Sequence, residues 1–231
     1  VVVVSQTPPL PASALEYWHG ELGASAANAV GQIAGITMPG AGTPTVGPDG
    51  AFFNAKNVYQ SSISGNRYWY RTNAPGTIIA AGTRPYLYII GRFRTVPASQ
   101  QEIAGFGQHA SGARLQVTST AAAVLQGWFG RTVFGLITVT NGTADTGVHR
   151  YEAWMDASDC NFRVDGVNAQ GAALGDTIGL INSAGIGTAP SFGSVETADA
   201  SLAFMLLCTA KPTDPEITAL NAWATAYWGA P

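Results

Sequence analysis

A chain of 231 residues and 23.9 kDa has room for one large domain or two small ones, and single all-β domains of this size are common. Only 11% of its residues are charged, against roughly 25% in an ordinary globular protein, and the net charge of −3 leaves no footprint for a phosphate backbone. Nucleic-acid binding is therefore excluded, and a basic membrane-surface patch is equally absent. The 46% apolar content supplies a core and excludes disorder of the whole chain. The most apolar run, residues 202–210, falls short of the roughly 18–20 residues that span a bilayer, so no membrane insertion is expected.

Val1 in place of Met points to a removed segment or to numbering that starts inside a longer chain, and residues 1–4 are too short for a signal-peptide core. Residues 1–50 are rich in Pro, Gly, Ala and Thr, with Pro8-Pro9-Leu10-Pro11, Pro39-Gly40, Pro44 and Pro48-Asp49-Gly50. Such residues punctuate regular structure, so this stretch is read as an extended arm, anchored through Leu15, Tyr17 and Trp18, that docks on a neighbouring subunit or wraps its own domain.

From Ala51 onward, short runs of Val, Ile, Thr, Tyr and Phe are broken by turn residues every 8 to 12 positions, the pattern of an all-β sandwich. The predicted strands are Ala51 to Phe53, Tyr68 to Thr72, Tyr86 to Thr95, Glu102 to Gln108, Arg114 to Thr118, Ala123 to Phe129 and Val133 to Thr140. They continue with His149 to Asp156, Asn161 to Val164, Val167 to Ala169 and Ser201 to Ala210. Asp165-Gly166 between Val164 and Val167 predicts a tight hairpin, because both residues tolerate the left-handed conformations of a twist-matched turn. Asn141-Gly142 is a second turn signal; it also opens an Asn-Gly-Thr sequon, for which the turn is the favoured reading.

One segment reads as a helix, Thr213 to Trp228. Thr213-Asp214-Pro215-Glu216 forms a capping box with Pro in the first turn; Ile217, Leu220, Ala224 and Tyr227 share a face, and Gly229 ends it. Cys160 and Cys208 allow one disulfide at most, and their apolar surroundings favour buried free thiols. His19, His109 and His149 stand singly, without zinc-ligand spacing.

The order of Arg150-Tyr151-Glu152-Ala153-Trp154, the Asp165-Gly166 hairpin, Ile186-Gly187, the strand Ala203 to Cys208, and Thr213-Asp214-Pro215-Glu216-Ile217 with Leu220-Asn221 resembles the laminin-G-like branch of the concanavalin A-like lectin and glucanase superfamily. The resemblance covers residues 51–231 in element order and residues 149–228 in motif. It implies a two-sheet antiparallel jelly-roll sandwich closed by a short C-terminal helix, a fold that hosts lectins, glycoside hydrolases, adhesion modules and virion proteins.

A retaining glycosidase needs two carboxyls about 5 to 5.5 Å apart, which the superfamily supplies on a Glu-x-Asp-x-x-Glu strand. That triple is absent. Glu152 and Asp156, flanking Trp154, come nearest to it, and no Gly-x-Ser-x-Gly pattern offers a serine nucleophile, so no enzyme is expected. Sugar binding uses flat aromatic rings with a few convergent polar groups. Asn66-Arg67-Tyr68-Trp69-Tyr70-Arg71 and Gln126-Gly127-Trp128-Phe129-Gly130-Arg131 combine both, which makes Trp69, Arg71, Trp128 and Arg131 the candidate ligand-binding residues, with sandwich core as the plainer account of both clusters. Asp156, Asp159 and Asp165 could offer oxygens to calcium but lack a calcium-loop spacing, so no cofactor is expected.

A surface poor in charge suits a subunit surrounded by copies of itself. The first expectation is a non-catalytic structural or adhesion protein displayed on a particle, such as a phage head-decoration or tail component, at the virion surface or outside the cell. Its partners would be other subunits of the assembly and, more weakly, polysaccharide. The alternative is a secreted carbohydrate-binding module of a larger glycan-active protein.

Overall fold

A computed structural model describes residues 4–71, 77–107, 113–130, 136–157, 159–172, 178–188 and 197–231. Among these the strands form two antiparallel sheets stacked face to face, with a single helix on the outside of one.

The first sheet runs β14 (Val167–Ala172), β13 (Asp159–Val164), β12 (His149–Met155), β7 (Tyr86–Phe93), β16 (Ala200–Cys208), β5 (Asn57–Gln60) and β4 (Thr45–Pro48). β16 is long enough to hold two partners along one edge. β5 pairs with it at Ser201 and Leu202, and β1 (Ala14–His19) pairs with it from Phe204 to Cys208. The second sheet runs β11 (Leu136–Thr143), β10 (Val124–Gly130), β9 (Arg114–Ser119), β8 (Gln101–Gly107), β15 (Ala184–Ile186), β6 (Tyr68–Arg71), β3 (Thr37–Ala41) and β2 (Asn28–Val30).

The period of two along each strand divides the side chains between layers. Leu87 and Ile89 of β7 point between the sheets with Met205, Leu207, Leu115, Val117, Phe129 and Phe162. Tyr86, Tyr88 and Ile90 point outward, onto α1 (Asp214–Trp228), together with Phe204 and Leu206. This is why β7 and β16 read as almost unbroken apolar runs: both of their faces are covered.

The helix starts where the capping box was expected. The backbone amide and the hydroxyl of Thr213 each donate to Glu216 Oε2 at 2.8 Å, and the amide of Ala12 donates to Oε1 at 2.8 Å. These donors, Ala12 first, hold the Glu216 carboxyl below its usual range. At the other end Gly229 takes the left-handed conformation, and the side chain of Asn54 donates to Tyr227 O at 3.0 Å. Against the helix lies His19, fully buried among Phe204, Trp223, Tyr227 and Trp228; burial drives its pKa down to about 4, and its Nδ1 accepts from the amide of Glu21.

Three expectations are corrected. Residues 14–48 are not an arm ahead of a domain at 51–231, because they supply β1 to β4 to both sheets. Prolines at 39 and 48 are accommodated near a sheet margin and at a strand end, where a missing amide costs no ladder bond. Residues 51–53 are no strand: Phe52–Ala55 is a tight turn in which Phe53, Asn54 and Ala55 have positive φ. Asn141-Gly142 does not turn the chain. β11 continues through it, with one extra residue bulged at Gly142 (φ 79°) where Thr140 pairs with Gln126 and Thr143 with Val124. The Asp165-Gly166 hairpin is as expected, with φ of 49° and 87°, and Cys160 and Cys208 are buried thiols with no disulfide between them.

Candidate functional site

α1 occupies the outer face of the first sheet over β7 and β16. Along β6 the alternation sends Trp69 inward and Tyr68 and Tyr70 outward, and the two tyrosines pack edge to face at 5.6 Å. Beside them opens a cavity of about 540 Å³, lined by Gly35, Thr37, Pro39, Gly40, Ala41, Tyr70 and Arg71.

The near wall of that cavity is fixed by a buried acid. Glu16, with no solvent exposure, accepts hydrogen bonds from the amides of Tyr17 (3.0 Å), Ile33 (2.6 Å), Ala34 (3.1 Å) and Ile36 (3.0 Å). The carboxylate thereby folds residues 31–36 over itself and delivers the chain into β3. Gly31 is required in this turn, since a Cβ there would lie 2.2 Å from Glu16 Cδ.

The four candidate binding residues have separate fates. Trp69 is fully buried, its indole N–H donates to Ser25 O at 2.8 Å and its ring packs on Tyr59, so it belongs to the core and offers no face to a ligand. Arg71, paired with Ala184 at the end of β6, lines the cavity together with Tyr70. Trp128 is half-buried on the same outer face, its indole N–H held by Gln126 Oε1 at 2.9 Å and the Arg114 guanidinium 5.5 Å from its ring. Arg131 lies outside the described residues, as does His109.

Four strand steps, roughly 19 Å at the usual inter-strand spacing, separate Tyr70 from Trp128. The face between them is not an open channel: Glu102, Arg114 and Gln116 there are buried. The tyrosine cavity and the tryptophan surface are thus two places on one sheet. Tyr70 and the walls from β3 were missed as site residues, since nothing in the sequence reveals that β3 lies beside β6.

Glu152 and Asp156 do not form a carboxyl pair. Glu152 is buried and accepts from the Tyr86 hydroxyl at 2.7 Å and from Arg163 at 3.2 Å. Asp156 accepts from the amide of Asp159 and from Asn161, closing the β12–β13 turn. The three aspartates considered for calcium are split. Asp165 sits at the far end of β13 from Asp159, where it bonds His149 Nδ1 at 2.6 Å and the Arg150 amide at 2.8 Å. His149 Nε2 meets Asp145 at 2.8 Å, and the bond to Asp165, joined by that to Asp145, outweighs burial and raises the imidazole pKa to about 9.

No protein-family model matches the sequence, and no curated protein matches it. The fold is similar to the binding domain of botulinum neurotoxin DC in complex with rat synaptotagmin II, with a TM-score of 0.66, 9% identity, and 94% of this chain and 55% of that chain covered. It is similar to botulinum neurotoxin type C, whose cell entry depends on interaction with two ganglioside molecules (TM-score 0.65, 10% identity, 91% of this chain and 51% of that one). A third likeness is to Trypanosoma rangeli sialidase in complex with the inhibitor DANA (TM-score 0.62, 14% identity, 89% of this chain and 32% of that one). The chain therefore spans about half the length of the neurotoxin chains it matches. These likenesses bear on the jelly roll and not on its laminin-G-like branch. The chain is an all-β, two-sheet antiparallel sandwich with one C-terminal helix.

Proposed function

We propose that this chain is a glycan-binding, lectin-like module whose site is the cavity beside Tyr70 and Arg71. The observation that carries the reading is the make-up of that cavity: Tyr70 and Arg71 line it together with a wall of Gly35, Thr37, Pro39 and Gly40. A ring offers the apolar face on which a pyranose stacks, and a guanidinium is a fork of donors for hydroxyls or carboxylates. A cavity of this size falls in the range of small-ligand sites. Fold analogy adds to this, since a botulinum neurotoxin DC binding domain of the same architecture (TM-score 0.64, 8% identity) forms a complex with SialylT.

On this reading the module is non-catalytic, needs no metal, works outside the cell, and has polysaccharide or glycoconjugate as its partner. The particle-display reading keeps only its compositional argument, 11% charged residues. Its docking arm is gone, because residues 14–48 are strands of the sandwich itself.

Glycan-array screening followed by calorimetry tests the proposal. Binding is expected for the wild type and lost in Tyr70→Ala and Arg71→Ala, with melting temperatures unchanged. A wild-type chain that binds no glycan overturns it.

A further inference from the structure

Asn-Gly is the dipeptide in which an asparagine side chain reacts most readily with the backbone that follows it, because glycine leaves the next amide unshielded. Gly142 is exposed at the β11 bulge, with nothing within 4 Å of where a Cβ would lie. The asparagine itself is engaged. Asn141 Nδ2 donates to Phe162 O at 3.0 Å and to Val167 O at 2.6 Å. Both partners are carbonyl acceptors, which fixes the amide's orientation and leaves neither of its hydrogens free. Phe162 and Val167 belong to β13 and β14, the edge hairpin of the helix-covered sheet, whereas Asn141 lies on β11, the edge strand of the other sheet. Beside the packing of Ile137 and Val139 on β14 at Gly171, one side chain therefore latches the two sheet edges by hydrogen bonds.

We infer that Asn141 is a spontaneous deamidation site gated by this latch, and that its conversion to aspartate removes both hydrogen bonds for good and loosens the β13–β14 edge. The Gly142 backbone nitrogen, giving up its proton to base, attacks Asn141 Cγ; the C–N bond to the side-chain nitrogen breaks and ammonia leaves. Water then opens the succinimide, so that asparagine and water become aspartate, or its iso form, and ammonia, with no change of oxidation state. To bring Cγ to Gly142 the side chain must turn away from the two carbonyls, so the reaction passes through the opened corner. The product carries a carboxylate where the amide hydrogens were. An acceptor then faces two acceptors, and the latch has no hydrogen left with which to close. While the latch is shut, the same nitrogen of the Asn141-Gly142-Thr143 sequon is withheld from glycosylation.

The test follows the Asn141 peptide by mass spectrometry while the full chain is held in mildly alkaline buffer, folded or in urea. Deamidation is expected to be at least about tenfold slower in the folded protein, as for any reaction that requires local opening. Equal rates overturn the gating. Hydrogen exchange is then compared between wild type, Asn141→Asp and the acidic species recovered by ion exchange from aged wild-type protein. Faster exchange in β13 and β14, with β7 still protected, is expected of the modified forms, and unchanged exchange overturns the unlatching. Should Asn141→Asp not fold, the aged wild-type fraction gives the same readout.

Discussion

The Tyr86 hydroxyl donates to Glu152 Oε2 at 2.7 Å, and both side chains are buried. The pair joins β7 to β12 on the helix-covered face, and burial, followed by the nearby carboxylate, pushes the phenol's pKa well above its ordinary value. The hydroxyl therefore stays a donor at any pH the fold survives. Tyr86→Phe removes one hydrogen bond to a buried charge and is expected to cost about 1.5–3 kcal/mol in urea denaturation. An unchanged midpoint would mean that Arg163 alone satisfies the carboxylate.

Glu16 links stability to the proposed site. In Glu16→Gln one carboxylate oxygen becomes an NH2 group that faces backbone donors, so either the amides of Tyr17 and Ile33 or those of Ala34 and Ile36 lose their acceptor. A loss of about 1–3 kcal/mol is expected, with weaker glycan binding because residues 31–36 lead into the cavity wall. Weakened stability with unaltered affinity would detach the loop from the site.

Stability should peak near pH 6.5. His149 has a folded pKa of about 9, above the unfolded value of 6.5, so its contribution is complete below pH 6.5 and is lost as pH rises through 9. His19 has a folded pKa of about 4, so the unfolded chain alone takes up a proton between pH 6.5 and 4, and stability falls as pH drops across that window. Melting temperatures of wild type and His149→Gln across both limbs check this: the variant should lose the alkaline limb and keep the acidic one.

Adjacent residues of β6 should give opposite phenotypes. Trp69→Ala empties a fully buried site and is expected to cost about 3–5 kcal/mol. Tyr70→Ala, on the cavity side, should leave the melting temperature nearly unchanged and remove binding. A stable Trp69→Ala protein would contradict the packing against Tyr59.

Local signals were legible where one residue suffices to state a constraint. Asp165-Gly166 can make only a tight turn, and Thr213 with Glu216 marks a helix start whatever surrounds it. Long-range placement was not legible. Proline in residues 39 and 48 reads as a breaker until the sheet margin and the strand end that tolerate it are known, so β3 and β4 were taken for an arm. Asn141-Gly142 carries the chemistry of a turn, but Gly142 adopts its positive φ in a bulge while Asn141 bonds across the sandwich. The candidate site failed in the same way. The alternation does separate Trp69 from Tyr68 and Tyr70, but which face is the core depends on β3 and β15 arriving on either side, and Arg71 lines the same cavity as Tyr70 instead of following Trp69.

β16 draws on both ends of the chain: β1 pairs with it from Ala14 to His19, and α1 follows it directly. β16 is thus synthesised well after β1, β5 and β7, and until it emerges those three strands lack their common neighbour. Folding dominated by such distant pairings is slow, and the unpaired strands are adhesive while they wait. A chain stalled or cleaved ahead of residue 200 should depend on chaperones for its solubility, whatever its finished form binds.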